Sequence, residues 1–247
     1  MKEWHIDINC DVGEGIGNEP ELFRHISSCN IACGGHAGNL DTMTEVIQLA
    51  KRHHIKIGAH PSYPDRLNFG REAMDIPAAE LKQSIKDQLS TFCGILKKEN
   101  IQLHHIKAHG ALYNQTAKDA DLAKIYLDAI ANFKDKTLLY VPFKSVIAKM
   151  AIKKGFQLCY EGFADRNYNS DLSLVSRKLS NALIQEPNQV LEHILPIIKE
   201  HRVIDITGSS TNIEAETLCV HGDTDSALEI LVYLTQELPK HRVRLLK

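Results

Sequence analysis

Acidic, imidazole and ammonium side chains recur in this sequence in six short clusters, each of which closes an apolar run. An apolar or β-branched run that ends in His, Asp and Gly, with a helical pattern after it, is typical of a (β/α) barrel. In that fold the strand carries reactive side chains to the barrel mouth. Because packing alone does not require such side chains at so many strand ends, we predict an enzyme. The clusters lie at residues 7–14, 30–38, 58–65, 107–114, 161–166 and 219–223.

The first cluster places Asp7, Asn9 and Asp11 at alternate positions. A period of two puts the three side chains on one face of a strand. A carboxylate that points into a barrel is costly unless it binds a cation or accepts hydrogen bonds. We therefore predict Asp11 as a catalytic group, Asn9 as a substrate-binding residue and Glu14 as an acid–base group. The alternative is an N-terminal loop held together by hydrogen bonds.

Two imidazoles follow at the ends of the next two predicted strands. His36 comes shortly after Gly34 in a glycine-rich segment, which lets backbone N–H groups approach a carboxylate or phosphate closely. His60 is followed by Asp65 and Arg66, and an arginine offers a planar fork for a carboxylate. We predict a substrate-binding role for all five residues. For the arginine, the alternative is a surface loop with ordinary salt bridges.

Lys107 and His109 also alternate, so they are expected to share a face of their strand. A lysine beside a histidine inside a barrel can have a lowered pKa, or it can pair with an anionic intermediate. We predict both residues to be catalytic. Asp165, Arg166 and His221, in the last two clusters, complete the ring as predicted substrate-binding residues.

The same strand ends also predict a metal site. Asp11, His36 and His60, with His109 beside them, would supply nitrogen and oxygen donors that suit zinc or a similar divalent ion. These ligands would come from different strands of the barrel.

The elements that must position these residues alternate between strand-like and helix-like segments along the whole chain. Seven strands in this alternation, with no Pro/Gly/Ser-rich linker, predict an α/β fold: one distorted seven-stranded (β/α) barrel domain over residues 1–247. An open Rossmann sheet is disfavoured because no G-x-G-x-x-G follows the first strand. The predicted strands are 4–9, 29–33, 55–59, 103–108, 137–141, 156–160 and 217–220. The predicted helices are 20–28, 41–53, 77–98, 120–133, 144–154, 189–201 and 224–238, with an irregular or hairpin-like stretch at 203–216.

Composition excludes several classes of function. The net charge of -2 and the pI near 6.7 give no electrostatic basis for binding nucleic acid or an anionic membrane. No apolar run approaches the ~18 residues of a membrane helix. An acidic residue at position 7 argues against a signal peptide, and the six cysteines form no CxxC pair. We expect a cytoplasmic protein with reduced thiols.

Taken in order, the motifs resemble those of the LamB/YcsF family. The resemblance runs from residue 7 to residue 224, and its most specific parts are 30–34, 36–38, 58–65, 109–114 and 163–166. It implies a distorted barrel akin to the glycoside hydrolase and deacetylase group. It further implies ATP-dependent opening of 5-oxo-L-proline to L-glutamate, with partner subunits B and C. ATP is the implied cofactor, with a divalent metal as a second candidate.

Two other functions stay open at this point. One is a stand-alone metal-dependent amide or ester hydrolase, such as a carbohydrate deacetylase, which a chelator would inhibit and which would not need ATP. The other is a non-catalytic subunit that binds the lactam for its partners. No G-x-x-x-x-G-K-[ST] loop occurs in the chain, which removes one familiar mode of ATP binding and no more.

Overall fold

The computed structural model describes residues 2–224 and 226–247, and its strands close into a parallel barrel. The strands are β1 (Trp4–Val12), β2 (Ser28–Ala32), β3 (Lys56–His60), β4 (His105–Ile106), β5 (Leu138–Pro142), β6 (Leu158–Phe163), β7 (Arg202–Ile204), β8 (Ser210–Asn212), β9 (Thr217–Cys219) and β10 (Val243–Leu245). The first six strands pair in sequence, β6 pairs with β9, and β9 returns to β1 to complete the circle. The predicted seven-stranded barrel is confirmed.

Helices cover the outside of the barrel. They are α1 (Glu19–Leu22), α2 (Leu40–Arg52), α3 (Ala78–Lys98), α4 (Gly110–Thr116), α5 (Ala120–Ala129), α6 (Val146–Lys153), α7 (Pro187–Glu200) and α8 (Ala227–Glu237). In α3 the buried residues Leu81, Ile85, Leu89, Phe92 and Leu96 recur every three or four positions. This spacing is the apolar stripe by which a helix packs on a sheet. No helix in the described ranges is long and apolar enough to cross a membrane.

Strand register brings the polar clusters to one rim of the barrel. Asp11 of β1 lies opposite Asn30 of β2, and Ala32 at the end of β2 lies opposite His60 at the end of β3. Because all barrel strands run in the same direction, their carboxyl ends share this rim. The side chains that follow each strand therefore converge there.

The fourth strand departs from its predicted length of 103–108, since only His105–Ile106 form regular strand. The backbone N–H groups of Lys107 and His109 nevertheless donate to the carbonyls of Ala59 and Pro61 at 3.0 and 2.9 Å. The pairing with β3 therefore continues in irregular form and keeps both side chains at the rim. Helix α4, which the sequence did not predict, begins directly after His109.

Other boundaries also differ from those predicted. The helix predicted at 20–28 spans only Glu19–Leu22, and the last residue of the predicted range, Ser28, already belongs to β2. The last helix begins at Ala227 rather than at residue 224, and position 225 of the predicted range lies outside the described residues. The hairpin-like stretch is confirmed as β7 and β8, which pair antiparallel, whereas β10 beside the start of β1 was not predicted.

Candidate active site

A cleft of about 760 Å³ opens at the rim formed by the carboxyl ends of the strands. Its volume falls within the range of about 300–1,000 Å³ that is usual for small-molecule sites. The cleft brings together residues from β1, β3, the segment after β4, and the loops after β6 and β9. The predicted site residues that line it are Asp11, Glu14, His60, Lys107, His109, Arg166 and His221.

Two imidazoles, those of His60 and His109, face each other at the centre of this site. His60 Nδ1 lies 2.9 Å from the Lys107 carbonyl, and His109 Nε2 lies 2.9 Å from the Phe69 carbonyl. A carbonyl only accepts, so each of these nitrogens carries a proton and donates. The remaining nitrogens, His60 Nε2 and His109 Nδ1, are 2.9 Å apart, which requires one proton between them. The pair therefore holds a single positive charge.

His109 is the acceptor of the pair. Burial, and then the neighbouring imidazoles of His36 and His60, lower the pKa of His109 well below the ordinary value for histidine. His109 thus accepts through Nδ1.

A carboxylate stands on each side of the imidazole pair. Asp11 Oδ2 is 3.4 Å from His60 Nε2, and Glu14 Oε1 is 3.4 Å from His109 Nδ1. Burial opposes the charge of Asp11, but His60 and Lys107 hold its pKa well below the usual range. Burial, and then the charge of Asp11, raise the pKa of Glu14 to about 7. Two carboxyl groups whose pKa values are pushed apart in this way are suited to different proton-transfer roles.

His36 lies behind the pair, not within it. Its ring stacks on that of His109, with centroids 3.6 Å apart, and its Nε2 is 2.9 Å from Glu14 Oε1. Burial, and then His60, lower the pKa of His36 to about 2, so this imidazole is neutral. A neutral imidazole can bind a metal, and the metal set of Asp11, His36 and His60 stays a prediction, although the candidate ligand atoms fall into two groups. His36 groups with Glu14 and His109, whereas Asp11 and His60 group with His109.

Lys107 is a fixed cation. Its Nζ lies 3.0 Å from Asp11 Oδ1 and 2.9 Å from Glu161 Oε1, with only 3% of the side chain exposed. Burial opposes the ammonium charge, but Asp11 and Glu161 outweigh it and raise the pKa of Lys107 well above its usual value. The suggestion of a lowered lysine pKa was wrong, because the sequence did not reveal the two carboxylates around it. Lys107 and the shared imidazole proton together balance Asp11 and Glu161.

On the far side of the cleft, Asp165 positions His221. The Asp165 carboxylate accepts from the backbone N–H of His221 at 3.0 Å and lies 2.9 Å from its Nδ1. Phe163 stacks on the same imidazole at 5.5 Å between centroids. His221 thus presents Nε2 as its remaining polar atom. Asp165 itself is fully buried and does not line the cleft.

Five predicted substrate-binding residues form hydrogen bonds within the protein, and of these only Arg166 lines the cleft among the described residues. Asn9 lies beneath the cleft and donates to Glu161 and Thr217. The remaining four make local contacts. Gly34 donates to Ala37, Asp65 accepts from Asn68, Arg66 donates to the carbonyls of Gly34 and Gly38, and Arg166 donates to those of Val175 and Ala182. These hydrogen bonds hold loops together. Sequence spacing alone does not distinguish a residue with that role from one that binds a ligand.

Four residues of the site were missed or given too little weight. Glu161 stands two positions before Phe163 at the end of β6, a period-two signal that was present in the sequence. Tyr113 lies on the unpredicted helix α4. Arg71 and Asp223 form an ion pair that spans the cleft lining, although their positions are distant in the chain.

The donor set around the pair also fits a divalent cation. Ligand atoms of Asp11, His60 and His109 all lie within 4.8 Å of one another. Each imidazole donates its other N–H to a backbone carbonyl, which is the usual support for a metal-binding histidine. A cation here would take the place of the shared proton.

A parallel (β/α) barrel with aspartate, glutamate and histidine converging at its mouth defines the class of (β/α)-barrel enzymes. Within that class the chain belongs to the LamB/YcsF family, whose model matches residues 6–247. The resemblance seen in the motifs is confirmed.

Relatives of known name agree with this assignment. A protein of Campylobacter jejuni, named as the A subunit of 5-oxoprolinase, is 40% identical over 245 residues, covering 97% of this chain and 96% of that protein. One of the same name from Pyrococcus furiosus is 35% identical over 246 residues, covering 98% and 96%. The crystal structure of a lactam utilization protein from Thermus thermophilus superposes with a TM-score of 0.90 at 31% identity, covering 98% of both chains.

Proposed function

We propose that this chain is the A subunit of an ATP-dependent 5-oxoprolinase, which opens 5-oxo-L-proline to L-glutamate together with partner subunits B and C. The observation that carries the proposal is the proton-sharing pair of His60 and His109 between Asp11 and Glu14. The names of the full-length relatives supply the substrate. The six free thiols favour a reducing compartment such as the cytoplasm.

Opening a lactam requires activation of a stable amide. Transfer of the γ-phosphate of ATP to the lactam oxygen, which we assign to the complex and not to this chain alone, would make the ring carbon open to attack by water. Departure of the ring nitrogen, which becomes the amino group of glutamate, leaves an acyl phosphate. A second water hydrolyses this acyl phosphate to the side-chain carboxylate and phosphate, and ADP is the other product.

The residues at the rim suit the proton transfers of that attack. Glu14, with a pKa near 7, can accept a proton from the attacking water. The pair of His60 and His109 holds a proton that it can give to the departing ring nitrogen. The Lys107 ammonium can stabilise negative charge that develops on the substrate oxygen, because it is buried and already in place.

A divalent cation held by Asp11, His60 and His109 would supply Lewis acidity and lower the pKa of a bound water. The same three residues therefore also support the second candidate function, a metal-dependent amide hydrolase that acts alone. That function would survive without ATP and would be lost to a chelator.

The test is a coupled assay of glutamate formation and ADP release from 5-oxoproline and ATP. We expect both products from the assembled complex and neither when this chain is omitted. No 5-oxoproline-dependent ADP release from a complete, correctly assembled complex would refute the substrate assignment. Chelator-sensitive amide hydrolysis by the isolated chain without ATP would favour the second candidate.

A further inference from the structure

The cleft carries more positive than negative charge. Six lysine and arginine side chains line it, against four aspartate and glutamate side chains. Two of the six cations are balanced within the protein, because Lys107 pairs with Asp11 and Arg71 pairs with Asp223. Among residues 2–224 and 226–247, the other four form no ion pair within 4.0 Å. They are Lys118, Arg166, Arg177 and Lys178. This excess of positive charge suits an anionic ligand.

Arg166 differs from the other three because it is buried, with only 5% of the residue exposed. Its Nε donates to the Ala182 carbonyl at 3.2 Å, and its Nη2 donates to the Val175 carbonyl at 2.6 Å. A guanidinium has five N–H donors in a planar fork, so three remain beyond these two bonds. A buried charge is costly unless an opposite charge accompanies it. The position of Arg166 on the cleft wall therefore indicates that an anion in the cleft completes its bonding.

The segment that accepts from Arg166 also carries a second arginine to the same wall. Val175 and Ala182 flank Arg177 in the chain, so their bonds to Arg166 fix the loop between them around the guanidinium. Arg177 is exposed and lines the cleft. Burial, and then the charge of Arg177, lower the pKa of Arg166 to about 10, which leaves both arginines charged at neutral pH. Two like charges held close together repel each other, and an anion between them removes that cost.

We propose that Arg166 and Arg177 form a carboxylate subsite of the cleft, which binds the carboxylate of the substrate. The fork of an arginine matches the two oxygens of a carboxylate. The inference rests on the proposed function, since 5-oxoproline carries its carboxylate on the carbon beside the ring nitrogen. Glu14, His60 and His109 line the same cleft, so a substrate held by its carboxylate keeps its ring in the space that these groups share.

Titration calorimetry of the full chain with 5-oxo-L-proline and with 5-oxo-L-prolinamide tests the subsite. The two compounds have the same ring, and the second has a neutral carboxamide in place of the carboxylate. We expect the carboxylate to bind about tenfold or more tightly than the carboxamide, as for hydrogen bonds to a charged group.

Two variants locate the effect. Arg177→Gln should weaken 5-oxoproline by about fivefold, as for loss of an exposed ion pair, and should change the affinity for the carboxamide by less than twofold. Arg166→Lys keeps the charge but removes the fork, and it should weaken 5-oxoproline by about tenfold. Circular dichroism verifies that each variant is folded.

Arg24→Gln is the matched control. Arg24 is also an exposed arginine, but it does not line the cleft. Its replacement should leave the affinities for both compounds unchanged.

The subsite is overturned if 5-oxoproline fails to bind, if its carboxamide binds equally well, or if Arg177→Gln and Arg24→Gln behave alike. Inorganic phosphate is the third probe. Phosphate binding that depends on Arg177, combined with equal binding of carboxylate and carboxamide, would assign the two arginines to a phosphoryl group and overturn the choice of a carboxylate.

These outcomes are separate from failure of the proposed function, which is measured as glutamate formation by the complex. A complex that makes no glutamate, combined with carboxylate-selective binding that depends on Arg177, would refute the function and leave the subsite standing. Glutamate formation combined with equal binding of the two compounds would refute the subsite alone.

Discussion

Replacement of Lys107 by methionine is expected to destabilise the protein strongly, because it leaves two buried carboxylates without their cation. The ammonium lies 3.0 Å from Asp11 and 2.9 Å from Glu161, and the three side chains are 3%, 9% and 0% exposed. Removal of one partner from a buried pair typically costs about 3–5 kcal/mol. For a chain of this size, each kcal/mol lowers Tm by about 2–4 °C, so we expect a fall of about 6–20 °C.

The loss should also depend on pH. In the wild-type protein the pKa of Asp11 is held well below its usual value, with Lys107 among the causes, so this stabilisation is present at neutral pH and disappears as the pH falls. In Lys107→Met, burial favours the protonated carboxyl, and the folded variant takes up a proton more readily as the pH falls. Both effects make the difference in unfolding free energy between the wild-type protein and the variant smaller in acid.

Urea denaturation at pH 8 and at pH 3, which lies below the ordinary aspartate pKa of about 4, measures both parts of this prediction. Lys154→Met is the matched control, because its ion pair with Asp128 is 36% and 33% exposed and should contribute no more than about 1 kcal/mol. A loss in Lys107→Met below about 1 kcal/mol, or one equal at the two pH values, would show that Lys107 does not hold these charges.

Three further predictions concern proton transfer, metal binding and packing. The kcat/KM of the complex should fall as the pH drops below about 7, because Glu14 becomes protonated. Glu14→Gln should lose most activity, and its remaining kcat/KM should no longer fall on the acidic side. An unchanged acidic fall in this variant would show that another group causes it. His60→Ala should weaken Zn²⁺ binding to the isolated chain by about tenfold or more in titration calorimetry, whereas His5→Ala, on the exposed start of β1, should not. Gly58→Ala should lower the unfolding free energy by about 1–3 kcal/mol, because the added Cβ would overlap the buried imidazole of His105. An unchanged midpoint of urea denaturation would mean that the imidazole moves away freely.

The barrel and its active rim were predictable because both follow from local patterns. Apolar runs that end in polar clusters mark the carboxyl ends of parallel strands, and a period of two places Lys107 and His109 on one face. Asp11, His60 and His109 were predicted from these patterns, and the structure brings them together at the rim.

What could not be predicted depends on contacts between distant segments. The charge state of Lys107 depends on Glu161, which is 54 positions away in the chain and reaches it only when the barrel closes. Gly34 and Arg66 were predicted to bind substrate, but glycine and arginine serve equally to hold loops together. Only the structure shows that Arg66 donates to the Gly34 carbonyl. Helix α4 was missed since it follows an irregular strand of two residues.

The central claim is that the imidazole pair at the rim gives a proton to the departing ring nitrogen during ring opening. The most direct measurement is glutamate formation from 5-oxoproline and ATP by the complex that contains His109→Ala. Circular dichroism and size-exclusion chromatography would establish that the variant folds and assembles. We predict that the rate falls by about 10²–10⁴, as for loss of a general acid–base group. A rate close to that of the wild-type complex would remove His109 from the mechanism and contradict the claim.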